Sequence, residues 1–243
     1  MFRFYFVITI SVFTFFHFYY KYKKIERKPE KYTENDRYNL VRFACRAVRK
    51  RGRIVDTVVG IENLPKDGGY IMYANHQGKY DAVGIMLAHD EPCSIVIDEA
   101  RSRALLLDQV TTLLRGKRLD KSDPKNQIRV IREVAEEVKA GRKFLIFPEG
   151  GYPEGVDSNE LHDFMPGSFK AATSNKSTIV PVVLYDSYKV FLKNSLKKVS
   201  VQIHFLSPIY YDTYKDMSTV ELSEYVKNLI SSKIEEIKML ANN

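Results

Sequence analysis

The stretch NHQGKYD, residues 75–81, sets an amide, an imidazole and a carboxylate within one short segment. A neutral histidine oriented by a carboxylate can accept a proton from a hydroxyl; the carboxylate fixes the tautomer and stabilises the imidazolium that forms. On a straight helix His76 and Asp81 would stand about 140° apart around the axis and about 7.5 Å apart along it, too far to hydrogen-bond. If the two act together, the chain must fold back between them, and Gly78 permits such a fold. Otherwise the stretch is a turn with a solvated histidine. No G-x-S-x-G accompanies it, and Cys93 and Ser94 fall inside a predicted strand. The base would therefore act most simply on a hydroxyl brought by the substrate, which is group transfer without a covalent enzyme intermediate.

A second stretch, FPEGG at 147–151, follows the apolar run KFLIF. Pro148 cannot donate to a ladder and ends the strand. Glu149 then stands at a strand exit, where Gly150 and Gly151 let the backbone approach a ligand. The alternative is a tight turn with one exposed glutamate. Two strand exits in one α/β sheet can face the same crevice.

The elements that must position these residues alternate. Strands are predicted at 54–60, 69–75, 93–98, 117–120, 143–147, 177–185 and 198–206. Helices are predicted at 81–89, 99–114, 124–140 and 219–240, with a helix opening in PGSFKAATS. In the 124–140 segment Ile128, Val130, Ile131, Val134 and Val138 supply the apolar positions and Gly141 closes the helix. This alternation predicts one α/β domain with a mixed central sheet flanked by helices, over residues 54–243.

Charge divides the chain. Residues 1–60 hold 14 of the 38 Lys and Arg but only 5 of the 30 Asp and Glu, so the +8 net charge sits entirely there. No stacking motif accompanies these charges, which argues against nucleic acid as a partner. Residues 4–20, FYFVITISVFTFFHFYY, carry no charge and would reach about 25 Å as one helix, the short end of a membrane span. The basic cluster around Lys21, Lys23, Lys24, Arg27 and Lys28 puts the following body on the cytoplasmic side by the positive-inside rule. Residues 1–21 therefore read as a membrane anchor helix, either single-pass or monotopic, with His17 a passive interfacial residue. Residues 22–53 read as a basic juxtamembrane segment. Its helix, within 36–53 and capped by Asn35 or Asp36, carries Arg42, Arg46, Arg49 and Arg53 on one face. That helix either lies on anionic head groups or packs on the domain.

Cys45 and Cys93 are too few for a disulfide scaffold and lack metal-type spacing, so both read as ordinary thiols. No metal and no bound cofactor is expected. His89 reads as ending a helix, His162 as lying in a polar loop and His204 as structural.

NHQGKYD and FPEGG together resemble the NHx4D and FPEG motifs of the glycerophospholipid acyltransferases, nearest the 1-acylglycerol-3-phosphate group. FMPGSFKAA (164–172), TIVPVVL (178–184) and LDKSDP (119–124) resemble later segments of that family, in the same order over residues 54–190. The resemblance implies a membrane-bound O-acyltransferase. It would move a fatty acyl group from acyl carrier protein or coenzyme A to lysophosphatidic acid or another lysolipid, giving phosphatidic acid in the first case. It implies His76 as general base and Asp81 as its orienting partner. Glu149, Gly150 and Gly151 would hold the glycerol-phosphate acceptor, Lys121 with Arg118 would bind its phosphate, and Pro181 would shape the site or the acyl-chain region. Lys121 stands where the family usually has arginine, so a point charge replaces a bidentate fork. FPEGGY replaces the more usual FPEGTR, which removes a basic residue at 152. Lys79, inside the first motif, can supply a cation. These departures leave a second expectation, a non-catalytic lipid-binding protein on the same fold.

Overall fold

The computed structural model describes residues 2–104, 106–152, 157–192 and 195–241. Among these, seven strands form one sheet in the order β1-β7-β6-β2-β5-β3-β4. They are β1 (Ile54–Val59), β2 (Tyr70–Ala74), β3 (Cys93–Asp98), β4 (Lys117–Leu119), β5 (Lys143–Ile146), β6 (Thr178–Tyr185) and β7 (Val199–Phe205). All neighbours run parallel except β6 and β7, so the sheet is mixed, as the alternation of elements predicted. Since β1 and β7 run opposite to the rest, the start of β1 lies on the same rim as the ends of β2, β3, β5 and β6.

Four helices stand among the first strands: α1 (Phe2–Ile10), α2 (Val12–Arg27), α3 (Glu34–Arg51) and α4 (Asp81–Ala88). Strand β2 is buried along its whole length, which is how a strand covered on both faces reads. Successive side chains divide between two cores. Tyr70, Met72 and Ala74 join Val180, Val182 and Leu184 beneath α3 and α4. Ile71 and Tyr73 join Ile179 and Val183 beneath the helices Pro124–Lys139 and Thr219–Ala241.

The N-terminal run is not one helix. It breaks at Ser11, and α1 and α2 meet at 63°. The residues explain the break: Val7, Ile8, Thr9, Ile10 and Val12 are β-branched, and Thr9 Oγ1 donates back to the Tyr5 carbonyl at 2.9 Å. Both features weaken or bend a helix. No single helix among the described residues is long and apolar enough to cross a membrane. The run also packs partly on the body. Phe18, Tyr22 and Ile25 enter the first core beside Tyr38, Val41 and Cys45, while Phe13, Phe16 and Tyr20 stay exposed.

One face of α3 packs on the domain, because Tyr38, Val41, Ala44 and Cys45 are buried and Arg42 pairs with Asp90 at 2.8 Å, while Arg46, Lys50 and Arg53 stay exposed. Its cap is Thr33 rather than Asn35 or Asp36. Thr33 Oγ1 accepts from the Asp36 amide at 3.1 Å, and Asp36 accepts from the Thr33 amide at 2.9 Å, a reciprocal capping box. The helix expected over 99–114 splits into Glu99–Ser102 and Leu107–Leu113, with Leu105 outside the described residues. Ile128, expected on the apolar face of its helix, is 71% exposed. Met1 and residues 242–243, the ends of the expected domains, also lie outside the described residues.

Candidate active site

At the exit of β2, Asn75 continues the strand pairing with its side chain. Its Nδ2 donates to the Leu184 carbonyl at 2.9 Å and its Oδ1 accepts from the Leu184 amide at 2.8 Å. The chain then turns, and Asp81 opens α4 pointing back at the turn. Asp81 Oδ2 lies 2.7 Å from His76 Nδ1 and accepts from the amides of Gln77 at 2.5 Å and Gly78 at 2.9 Å. Oδ1 accepts from Ser187 Oγ at 2.6 Å. An acceptor-only carboxylate with four donors is fully satisfied although wholly buried. It also requires the proton on Nδ1, leaving Nε2 as the base. The fold-back expected from the sequence is therefore present. Gly78 makes it without a left-handed φ, and a Cβ there would meet only Tyr188 Cα at 3.9 Å. What closes the turn is the carboxylate, not the glycine.

FPEGG leaves β5, the strand beside β2, so the two strand exits adjoin on one rim of the sheet. The Phe147 ring stacks on the His76 ring at 4.1 Å, and the Tyr152 ring meets it edge-on at 4.5 Å. The His76 side chain keeps 17% exposure. Both oxygens of Glu149 hold backbone amides. Its Oε1 accepts from the His76 amide at 2.8 Å and its Oε2 from the His162 amide at 3.3 Å. Burial, first, pushes its carboxyl up to about 7, against the pull of those two amides. Gly150 and Gly151 both have positive φ, 71° and 150°. A Cβ on Gly150 would lie 2.7 Å from Met165 Cε, so glycine is needed there for conformation and for space.

The cations divide. Lys121, at the exit of β4, has Nζ 3.0 Å from Asp98 Oδ2 and 3.9 Å from the place a Gly151 Cβ would take, so it borders FPEGG. Arg118 is committed elsewhere, to Asp108 at 2.8 Å and Ser102 at 3.2 Å. The structure does not bring it to His76. Lys79 has Nζ 4.4 Å from the Phe4 ring of α1. Pro181 is buried in β6. Its carbonyl accepts from the Leu206 amide at 2.9 Å, beyond the last β7 residue, so its missing N–H breaks no ladder bond.

Several site residues were missed by the sequence reasoning. Ser187 lies just past the exit of β6, and its single hydroxyl proton faces both Asp81 and Gln77 Oε1, the latter at 3.0 Å. Gln77 Nε2 donates to Asn159 Oδ1 at 3.0 Å, which ties the turn to a distant loop. Arg101 places its guanidinium 4.9 Å from the Tyr152 ring. A cation thus stands beside position 152 in space, though the sequence has tyrosine there. The available signal was that polar residues directly after predicted strands gather on one rim.

The remaining polar residues have local duties. His89 ends α4, its Nε2 2.6 Å from the Tyr70 hydroxyl. Burial raises the Cys45 and Cys93 thiols to about 12 and about 11, as expected of inert thiols.

The family model described as Acyltransferase matches residues 56–185. The chain is 27% identical over 188 residues to the 1-acyl-sn-glycerol-3-phosphate acyltransferase of Borreliella burgdorferi, covering 75% of this chain and 72% of that one. Against the protein of the same name from Saccharomyces cerevisiae it is 28% identical over 188 residues, covering 74% and 60%. The crystal structure of the 1-acyl-sn-glycerophosphate acyltransferase PlsC from Thermotoga maritima superposes with a TM-score of 0.74. That match covers 97% of this chain and 93% of the other at 23% identity, so it speaks to a shared fold.

Proposed function

The chain belongs to the acyltransferase family, and on that premise we propose that it transfers a fatty acyl group from a thioester to the free hydroxyl of lysophosphatidic acid, forming phosphatidic acid. The observation that carries this reading is the His76–Asp81 contact at 2.7 Å, which leaves Nε2 as a base where two strand exits adjoin. Nε2 takes the proton of the acceptor hydroxyl as its oxygen attacks the thioester carbonyl. Asp81 stabilises the imidazolium, which returns the proton to the departing thiolate. The C–S bond breaks as the C–O ester bond forms, and no covalent enzyme intermediate is needed.

Lys121 is the expected cation for the acceptor phosphate, and Arg101 joins it in place of Arg118. Glu149 positions the His76 backbone, and Gly150 and Gly151 leave room for the glycerol phosphate. Lys79, beside α1, would face the head-group region. The donor is acyl carrier protein or coenzyme A thioester, and no bound cofactor enters the chemistry.

The exposed aromatics of α1 and α2 favour attachment to one leaflet of the cell membrane, with the domain on the cytoplasmic face. The bend at Ser11 supports this monotopic arrangement over a straight span.

The test is thiol release and phosphatidic acid formation by the purified protein with each thioester and a set of lysolipid acceptors. His76→Ala should abolish both. Full activity in that variant would remove the mechanism. Lipid binding without thiol release for any donor would favour the non-catalytic reading, which the replaced residues at 121 and 152 motivate.

A further inference from the structure

A groove of about 540 Å³ opens where α3 passes into β1, lined by Arg46, Arg49, Lys50, Arg53 and Lys198 over the aliphatic Ile54. Among the described residues only Arg49 of these five meets a carboxylate, Asp56 at 3.6 Å. Such crowding of like charge is unfavourable unless an anion joins it. Arg53 is also held at φ 54°, just past a helix end where glycine would sit at little cost. Strain of that kind tends to collect where a side chain must meet a ligand.

The position of the groove narrows the ligand. It stands at the start of β1, on the rim that carries His76, three strands away across β7 and β6. Both walls are tied to the helices with the exposed aromatics. Arg51, at the end of α3, donates to Thr14 Oγ1 of α2 at 2.7 Å. Arg3 of α1 donates to the carbonyls of Ser195 and Lys197, beside Lys198, at 2.7 Å each.

We propose that this groove binds the phosphate head group of an anionic phospholipid in the membrane surface, and so sets the tilt at which the His76 rim faces the lipid. Guanidinium forks grip phosphate oxygens in pairs, and the exposed Val55 in the groove lining offers apolar contact to the glycerol end of a lipid. The proposal rests on the membrane-surface reading above and adds a head-group site separate from the acceptor's.

The experiment uses the full chain with vesicles of phosphatidylcholine alone or with added phosphatidylglycerol. Wild type should bind the anionic vesicles more tightly. In a variant with Arg46, Lys50, Arg53 and Lys198 all changed to Gln, that increment should fall about tenfold or more while binding to neutral vesicles is kept. Arg53→Gly provides a variant that should fold at least as well as wild type, because it relieves the left-handed φ, and it too should lose part of the increment. An undiminished increment in the folded variants overturns the proposal. So does a variant that keeps the increment but loses activity only with acyl carrier protein as donor, which would make the groove a protein dock. Acyl transfer in neutral detergent micelles separates the two readings. It should be unchanged in the groove variants, and its absence in wild type would count against the acyltransferase reading instead.

Discussion

The Asp81 carboxylate holds His76 Nδ1 at 2.7 Å across a turn whose own amides, Gln77 and Gly78, donate to the same oxygen. Turn and base are therefore one unit. The carboxylate that orients the imidazole also closes the backbone that presents it. His76→Ala should lower kcat at least about 10²-fold, the usual contribution of a positioned base, with little change in melting temperature. Asp81→Asn should lower kcat similarly and also cost about 3 kcal/mol of stability, because an amide cannot accept from four donors in a buried site. Turnover with a thioester and thermal melting check both.

Ser187 supports this unit through Asp81 Oδ1, at 2.6 Å, without reaching a reacting atom. Ser187→Ala should lower kcat about tenfold, leave the acceptor KM nearly unchanged and cost about 1–2 kcal/mol of stability. Ser187→Thr, which keeps the hydroxyl, should recover more of kcat than Ala does. A purely structural role would give no such rescue pattern.

Glu149 predicts a pH dependence. Its carboxyl is pushed up to about 7 by burial, so the folded protein binds this proton more tightly than the unfolded chain does. The associated stability is fully present below the unfolded value of 4.5 and is lost as pH rises through about 7. In Glu149→Gln the slope over that window should disappear, a difference of up to about 3 kcal/mol across it. Denaturant melts at several pH values measure the slope, whatever the variant's absolute stability.

Arg101 and Lys121 should serve the acceptor's phosphate. Removing either should raise KM for lysophosphatidic acid about tenfold, the scale of one charge-assisted hydrogen bond, with kcat changed less. An acceptor lacking the phosphate should show no such shift. Arg118→Ala should leave KM unchanged, since Arg118 is occupied by Asp108 and Ser102.

The two faces of α2 should separate in mutation. Phe18 is fully buried, so Phe18→Ala should cost about 3–5 kcal/mol in a melt. Phe16 is 67% exposed, so Phe16→Ser should leave stability within about 0.5 kcal/mol and weaken partition into vesicles.

By itself the sequence determined the alternation of strands and helices, the ends set by Pro148 and Gly141, and the two polar stretches at strand exits. These are local matters: hydrophobic period, missing N–H groups and conformational freedom act within a few residues. The tertiary structure decided which strand exits adjoin. The order β6-β2-β5-β3 brings Ser187, His76, Glu149 and Arg101 to one rim from segments up to 111 positions apart, a separation no local pattern encodes. It also turned Glu149 from an expected ligand contact into a clamp on the His76 backbone, because its two acceptor oxygens meet two otherwise unpaired amides. It turned Arg118 to Asp108 and Ser102, whereas Lys121, though paired with Asp98, borders Gly151. The N-terminal run shows the limit from the other side. Its composition suits a membrane, but β-branched residues around Ser11 bend it, and packing of Phe18 and Tyr22 against α3 decides which face remains for lipid.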